Sequence, residues 1–217
     1  MIEVTPSLKM LHAFALMAKS TDVIRDTHGN LSCLAGPNLM FIKPSGVDYD
    51  RISDQLICAH DVATGEAYAS NQAKSSVDTP YHLDIYQRHP WIRAICHTHS
   101  PYATAHAMVE NIVPCVCTEH ADYFGKNIRV VPYAGMEWST GLTIEENERA
   151  VLLGCHGVLT FADDPLEAVK LAVAVENVCY KNFLAKQLSG RSLRGDQMYY
   201  PEAQAWHKRY AEKYGQR

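Results

Sequence analysis

Short apolar segments separated by tight turns recur along this chain, and two pairs of them have the pattern of hairpins. The pairs are Leu31–Leu34 with Leu39–Ile42, and Leu56–Asp61 with Glu66–Ala69. Glycine, proline, asparagine and threonine lie between the members of each pair, as in hairpin turns. Strands joined by such turns run antiparallel, which argues against a strictly parallel, doubly wound sheet.

Helical patterns alternate with these strands. Apolar spacing predicts helices over 6–18, 80–89, 101–109, 165–188 and 201–210, and strands at 92–97, 112–116, 129–133, 151–155 and 158–161. Thr5 before Pro6, and Asp163 or Asp164 before Pro165, have the composition of helix starts. We expect an α/β fold, a three-layer αβα single domain over residues 1–217 around a largely antiparallel central sheet.

Composition excludes several classes of function. The net charge is −4, and lysine and arginine are scattered, so we expect no nucleic-acid partner. The chain lacks an apolar run long enough to span a bilayer and an N-terminal signal pattern, which predicts a cytoplasmic protein without a membrane partner. The seven cysteines are odd in number and mostly lie among apolar residues, as reduced thiols do.

His97-Thr98-His99 is the most informative motif. In an extended segment residues two apart project to the same side, so two imidazoles there can bind one cation at roughly 2.0–2.1 Å for zinc. For this pair alone, two structural histidines are the better interpretation. His156 changes the balance because it lies between two strand patterns and close to glycines, which permit close approach of backbones. Three protein ligands with an open position are typical of a catalytic metal site.

Three further polar residues have two interpretations each. Asp78 precedes the helix that begins near Pro80, so it is either a helix cap or a carboxylate that binds the metal or moves protons beside it. His120 and Asp122 precede Gly125 in an apolar neighbourhood. The residues alone do not separate a solvated turn from a functional cluster at this position.

Three short polar segments have the composition to hold an anion through backbone N–H groups: Gly29-Asn30, Ser45-Gly46 and Ser75-Ser76. Lys43 adds a positive charge near the second segment. Taken singly, each segment is more simply explained as a turn between regular elements. Together, beside a metal site, they suit a small phosphorylated substrate.

On the basis of these motifs, we find that the chain resembles the class II aldolase and adducin family over nearly its whole length. The matching motifs are Gly29-Asn30-Leu31-Ser32, the Lys-Ser-Ser run into Asp78 and His82, the block His97-Thr98-His99-Ser100-Pro101-Tyr102-Ala103-Thr104-Ala105, and His156-Gly157. Within the family the chain is most similar to L-ribulose-5-phosphate 4-epimerases, through residues 42–49, 118–125 and 214–216.

The resemblance implies a metal-dependent 4-epimerase of a pentulose phosphate that works by retro-aldol and aldol chemistry through a metal-stabilised enediolate. His97, His99 and His156 would bind one divalent cation per subunit, zinc first, with manganese or cobalt as alternatives. Asp78 stands where the epimerases have an aspartate, which would place it at the metal.

The resemblance also assigns the proton transfer and the substrate contacts. Asp122 and Tyr214 match the two proton-transfer residues of the epimerases. In that family they meet the metal of a neighbouring subunit, which implies a homotetramer with active sites between subunits. The positions that match phosphate contacts are Gly29, Asn30, Ser45, Gly46 and Ser76, and Lys43 and Ser75 lie beside them.

Three departures leave alternatives open. Val77 removes one hydroxyl from the expected phosphate site, 132–151 is shorter than in the epimerases, and Ser100-Pro101-Tyr102 follows the aldolase pattern. A class II aldolase of the L-fuculose-1-phosphate type, or a sugar-acid phosphate decarboxylase, is therefore the alternative function. A non-catalytic adducin-like module ranks lowest, because the histidines, the acid at position 78 and the tyrosine near the C-terminus are retained.

Overall fold

The computed structural model describes residues 5–20, 23–133, 141–193 and 197–213, so Tyr214 lies outside the described residues. The helices are α1 (Pro6–Lys19), α2 (Thr79–Arg88), α3 (Pro101–Val109), α4 (Thr118–Phe124), α5 (Pro165–Ser189) and α6 (Tyr200–Lys213). The strands are β1 (Asn30–Leu34), β2 (Leu39–Ile42), β3 (Cys58–Asp61), β4 (Ala94–Thr98), β5 (Ile112–Val113), β6 (Ile128–Val131), β7 (Ala150–Leu153) and β8 (Gly157–Ala162).

The strands form one sheet in the order β3-β2-β1-β4-β8-β7-β6-β5. The pairings around β4 are antiparallel on both sides, and the pair β6 and β7 is parallel. The expected α/β fold around a largely antiparallel central sheet is therefore confirmed. Because β4 lies between β1 and β8, residues at its C-terminal end have two neighbouring strands within reach.

Side chains on β4 alternate between two apolar cores. Ile95 packs in the core that includes the inner side of α2, whereas Ala94 and Cys96 pack in the core that includes α1 and the start of α5. Since successive residues of a strand point to opposite faces, the helices lie on both sides of the sheet. The third core joins α3 and α5 to β7 and β8. This is the expected three-layer αβα arrangement.

Local signals at two helix starts act as the sequence predicts. Thr5 Oγ1 accepts a hydrogen bond from the Leu8 N–H at 3.3 Å at the start of α1. Asp164 Oδ1 accepts from the Glu167 N–H at 2.9 Å, so Asp164 rather than Asp163 caps α5. Each cap satisfies a backbone donor that has no partner within the helix.

Two segments differ from their predictions, and the structure decides a third that the sequence left open. Residues 66–69 form only a single bridge, between His60 and Ala67, and the strand predicted over 112–116 is reduced to β5. Residues 118–124, left open as a turn, form α4, which ends at Gly125 in the left-handed region with φ 63°. Packing decides this last case, because α4 buries one side against α5 and α6.

The cysteines and the helices bear on compartment. All seven cysteines are free, and Cys33, Cys58, Cys96, Cys115 and Cys179 are buried, as the composition predicts. In the part of the chain that the structure describes, no helix has both the length and the apolar composition to cross a membrane.

Candidate metal centre

The candidate site lies where β4 ends. His97 is opposite Asn30 on β1 and opposite Leu159 on β8. Strand β8 begins at Gly157, so the preceding residue, His156, reaches the same end of the sheet from the turn that follows β7. Three separate stretches of chain therefore meet at one point because of the sheet order β1-β4-β8.

The three histidines converge with their ring nitrogens facing one another. One nitrogen from each of His97, His99 and His156 lies within 4.8 Å of the others. The ring centroids are 4.8 and 4.9 Å apart, and the Nε2 atoms of His97 and His99 are separated by 2.9 Å. Imidazole nitrogens at these distances can all reach a cation placed between them.

A backbone carbonyl fixes the orientation of His97. Its Nδ1 lies 2.9 Å from the carbonyl oxygen of Val158. A carbonyl oxygen only accepts hydrogen bonds, so Nδ1 carries the ring proton and Nε2 keeps its lone pair. A metal-binding histidine is commonly oriented in this way, by a hydrogen bond from its other ring nitrogen to a carbonyl oxygen.

The environment keeps the three rings in the neutral form that binds metals. Burial lowers the pKa of His97 well below its ordinary value, with further lowering from the neighbouring rings. Burial also lowers the pKa of His99 to about 4 and lowers that of His156. A neutral nitrogen donor set of this kind fits zinc, and the exposed side of His99 leaves the site open to solvent.

Two glycines permit the close packing around these rings. A Cβ on Gly157 would collide with the Thr98 carbonyl oxygen and would lie 3.1 Å from Cδ2 of His99. Gly29 has φ 73°, and a Cβ there would lie 2.5 Å from the carbonyl oxygen of His97. Side chains at either position would therefore push the strands apart at the site.

Asp78 lies beside the triad. It occupies the residue before α2, yet its side chain makes no capping hydrogen bond. Instead its Oδ2 accepts a hydrogen bond from Asn30 Nδ2 at 2.5 Å. Its charge opposes the lowering of the pKa of His99 and His156, which shows that it acts on the site. Among the described residues, the three donors that converge are the histidines alone, and Asp78 is next to them.

His82 is a site residue that the sequence reasoning used only as a family motif. It is completely buried, and its Nδ1 lies 2.6 Å from Ser32 Oγ. Burial lowers its pKa to about 3, and Asp78 opposes that shift. His82 Nε2 and Asn30 Oδ1 are buried and have no hydrogen-bond partner among the described residues. The spacing of four residues from Asp78, one helical turn, is the signal that indicates His82.

His28 is a second residue that the sequence reasoning missed. Its Nδ1 lies 3.5 Å from Nδ1 of His99, on the side of that ring opposite the triad. Its position immediately before Gly29 and Asn30 is the sequence signal that could have indicated it.

Two of the three segments predicted to bind an anion, Ser45-Gly46 and Ser75-Ser76, lie side by side. The Ser45 N–H donates to the Lys74 carbonyl at 2.8 Å, and the Ser76 N–H donates to the Lys43 carbonyl at 3.0 Å. Ser45 and Gly46 are exposed, and Ser75 and Ser76 are half-buried. The candidate phosphate residues of the two loops thus form one continuous surface.

Lys43 is held inside the protein. Its ammonium group donates to the carbonyl oxygens of Thr27 at 3.3 Å and Pro44 at 3.2 Å, and it lies 4.7 Å from the centre of the Tyr49 ring. Burial lowers its pKa to about 8. In this arrangement Lys43 links the loop before β1 to the loop after β2, and its charge lies beneath the candidate anion site.

Asp122 lies apart from the triad in the described chain. It is on α4, and its carbonyl oxygen accepts a hydrogen bond from His207 Nδ1 at 2.6 Å. Burial raises the pKa of its carboxyl group, whereas the charges of Arg209 and His207 lower it. Its candidate companion Tyr214 follows α6 directly and lies outside the described residues.

Comparisons with known proteins show which family the chain resembles. The family model "Class II Aldolase and Adducin N-terminal domain" matches residues 9–182. A Mycoplasma pneumoniae protein named "Probable L-ribulose-5-phosphate 4-epimerase UlaF" is 33% identical over 183 residues, 75% of each chain. An L-ribulose-5-phosphate 4-epimerase UlaF of Salmonella paratyphi B is 30% identical over 75% of this chain and 78% of its own.

A solved structure extends the similarity over almost the whole chain. A structure named L-fuculose 1-phosphate aldolase superposes with a TM-score of 0.80 and 27% identity. The superposition covers 97% of this chain and 98% of the aldolase.

Proposed function

The chain belongs to the class II aldolase and adducin family, and we propose that it is a divalent-metal-dependent 4-epimerase of a pentulose phosphate of the L-ribulose 5-phosphate type. The observation that carries this proposal is the convergence of His97, His99 and His156 beside the Asn30–Asp78 pair. The similarity to two proteins named as such epimerases, at 30% and 33% identity, supports the choice of reaction.

The three histidines would hold the cation, and their nitrogen donors favour zinc over manganese or cobalt. A bound divalent ion supplies Lewis acidity, which stabilises the negative charge that develops on a ketose oxygen when the adjacent C–C bond breaks. The chain prepares the site by keeping the three rings neutral and by fixing His97 through Val158.

The protein residues around the triad would bind and orient the sugar. Asn30 Oδ1 and His82 Nε2 are buried groups whose hydrogen-bonding capacity is unused among the described residues. A buried unpaired polar atom is costly, so a hydroxyl-rich substrate would compensate for both. The phosphate would bind to the backbone N–H groups of Gly29, Gly46 and Ser75 and to the hydroxyls of Ser45, Ser75 and Ser76, above the charge of Lys43.

Proton transfer is assigned to Asp122 and Tyr214, one on each side of the C4 oxygen. Burial raises the pKa of Asp122, which favours a carboxyl group that can hold a proton. Because α4 lies apart from the triad of its own chain, the proposal brings these residues to the triad of a neighbouring subunit in a homotetramer.

A second candidate is an aldolase of the L-fuculose-1-phosphate type. The superposition with an aldolase over 97% of the chain and the Ser100-Pro101-Tyr102 sequence favour it. Both reactions use the same metal-binding end of the sheet, so the histidine geometry does not distinguish them.

Product analysis separates the two. Metal-replete protein is incubated with L-ribulose 5-phosphate and, separately, with L-fuculose 1-phosphate. The epimerase converts the first into its C4 epimer without net cleavage, whereas the aldolase releases dihydroxyacetone phosphate and a free aldehyde from the second. Protein that binds metal and turns over neither compound contradicts both, and protein purified without chelators that contains no metal supports a non-catalytic role.

A further inference from the structure

His60 lies behind the candidate anion loop and is hydrogen bonded at both ring nitrogens. It is 7% exposed, on β3. Its Nδ1 lies 3.2 Å from the Gly65 carbonyl oxygen, and its Nε2 lies 2.6 Å from Ser75 Oγ. The contact with Ser75 has the length of a strong hydrogen bond, and it joins β3 to a loop fifteen residues later.

The Gly65 carbonyl decides which nitrogen of a neutral His60 carries the proton. A carbonyl oxygen only accepts, so Nδ1 is the donor and Nε2 has a lone pair. The short contact is then a bond in which the Ser75 hydroxyl donates to His60. With its proton directed inward, Ser75 offers only oxygen lone pairs to a ligand, and these repel an anion.

Protonation of His60 reverses this bond. Both ring nitrogens of a charged imidazole are donors, so Nε2–H would donate to Ser75 Oγ and release the hydroxyl proton for an outside acceptor. The positive charge behind the loop would also attract an anion.

We propose that His60 is a positioning residue for anion binding: it takes up a proton as an anionic group enters the loop and thereby turns the Ser75 hydroxyl toward that group. The inference rests on the proposed function only in placing the anionic group of the substrate at Ser75–Ser76. Ser76 serves as an internal comparison, because its Oγ lies 3.3 Å from the Asp78 N–H and not against a histidine.

Cys58 on β3 is a second neighbour of Ser75. Burial raises the pKa of its thiol and a hydrogen bond with Ser75 lowers it, with burial the larger effect, so the thiol stays neutral below about pH 7. The thiol also donates to the carbonyl oxygens of Leu56 and Ala73. Asp61 accepts hydrogen bonds from the N–H and hydroxyl of Thr64, which lower its pKa, and it stays ionised. Glu66 is exposed.

Of the charged groups on the other neighbouring elements, Lys74 is exposed, and Asp84 on α2 forms an ion pair with Arg88 at 2.6 Å. The ammonium of Lys43 donates to Thr27 and Pro44, and its pKa of about 8 means that it is already largely protonated below about pH 7. A change in anion affinity below about pH 7 would therefore not come from Lys43.

Sulfate is the probe, because it keeps its double negative charge throughout this range. Calorimetric titration into zinc-loaded protein, in buffers with different ionisation enthalpies, gives both affinity and proton uptake. We expect the affinity to rise about tenfold from about pH 7 to about pH 5.5, the size of an ordinary coupling between two sites. We also expect net proton uptake on binding.

Variants separate His60 from a general effect of pH. His60→Gln and Ser75→Ala should each remove both the pH dependence and the proton uptake. Ser76→Ala, the matched control in the same loop, should weaken sulfate binding but keep its pH dependence. An unchanged pH dependence in folded His60→Gln protein, or no saturable sulfate binding at all, overturns the proposal.

The two proposals fail in different ways. Sulfate binding that requires His60 and Ser75, in a protein inactive on sugar phosphates, would leave this inference standing and contradict the proposed reaction. If the enzyme is active and His60→Gln changes neither its sulfate binding nor its KM, the proposed reaction stands and this inference is contradicted. In active enzyme the His60→Gln variant should alter the pH profile of KM more than that of kcat.

Discussion

The metal-binding end of the sheet and the α4–α6 pair differ in how they are built. The triad lies on the central strand β4 and on the turn before β8, and His97 is completely buried. Asp122 lies on a seven-residue helix that packs mainly against α6 at the periphery. One region is fixed by neighbouring strands of the same sheet, and the other is fixed by helix packing alone.

This difference separates two parts of the proposed chemistry. The ligands that would hold the cation are arranged within one chain, with orientation and protonation state already set. Of the acid and base assigned to proton transfer, Asp122 lies on a helix that packs mainly against α6, and Tyr214 lies outside the described residues. Metal binding should therefore survive changes at α4, whereas turnover should depend on both regions.

The largest effect is expected from His97→Ala. Removing one of three nitrogen donors should abolish stoichiometric metal binding and lower kcat/KM about 10³-fold, because metal assistance contributes several kcal/mol to such reactions. Mass spectrometry measures the metal content, and the product analysis described above measures kcat/KM. His12→Ala, an exposed histidine of α1, is the matched control and should change neither. Full metal content in the His97→Ala variant would contradict the assignment of His97 as a metal ligand.

Asp122→Asn tests the proton-transfer role assigned to this residue of α4. It should lower kcat by about 10²-fold or more, the usual contribution of a general acid or base, while metal content stays unchanged. Tyr214→Phe should give the same pattern. One metal ion per subunit in both variants would support separate roles for the two regions. Unaltered turnover in either variant would contradict the role assigned to that residue.

The acid sensitivity of α4 provides a stability test. His120 is buried, its Nε2 donates to the Lys126 carbonyl at 3.0 Å, and burial lowers its pKa to about 4. As pH falls from about 6.5 to 4, the unfolded chain takes up a proton here before the folded chain does, so stability is lost by about 2–3 kcal/mol.

Urea unfolding at several pH values measures this loss. His120→Gln, which cannot titrate, should reduce the decline in the free energy of unfolding over this range, and His12→Gln should not. Other buried histidines, such as His82 with a pKa lowered to about 3, keep part of the decline in place. Equal pH dependence in His120→Gln and the unchanged protein would contradict the assignment.

The smallest effect on stability is expected for Glu176, which holds the N-terminus of α3, the helix that follows His99. Glu176 on α5 is buried and accepts the backbone N–H groups of Tyr102 and Ala103, both at 2.9 Å. Glu176→Gln should cost about 1–2 kcal/mol, because a charged acceptor at a helix N-terminus is replaced by a neutral one. Thermal unfolding measures it, with Glu212→Gln on α6 near zero as control. A loss no larger than that of the control would contradict this role.

Local signals predicted much of the fold. Prolines at the starts of α1, α3 and α5 act through their fixed backbone angle, and the cap residues Thr5 and Asp164 accept hydrogen bonds from N–H groups three residues later. A local pattern also indicated His97 and His99, which share one side of an extended segment, whereas His156 meets them through the pairing of β4 with β8. The family resemblance that these motifs carried is confirmed by the match over residues 9–182.

The errors occurred where short segments depend on distant packing. Residues 66–69 were predicted as a strand but form a single bridge, and the strand predicted over 112–116 is reduced to β5. Residues 118–124, which the sequence left open, form α4. A segment of about seven residues has too few internal hydrogen bonds to be stable alone, so its conformation follows from what it packs against.

By itself, the sequence determined the order of helices and strands, the largely antiparallel sheet and the identity of three candidate ligands. Only the tertiary structure decided that Asp78 bonds Asn30, that Lys43 is buried and that His60 holds Ser75. The first group depends on interactions between residues close in the chain, which a pattern records. The second depends on which strands become neighbours in the sheet, and that order is set by the burial of all the apolar faces together.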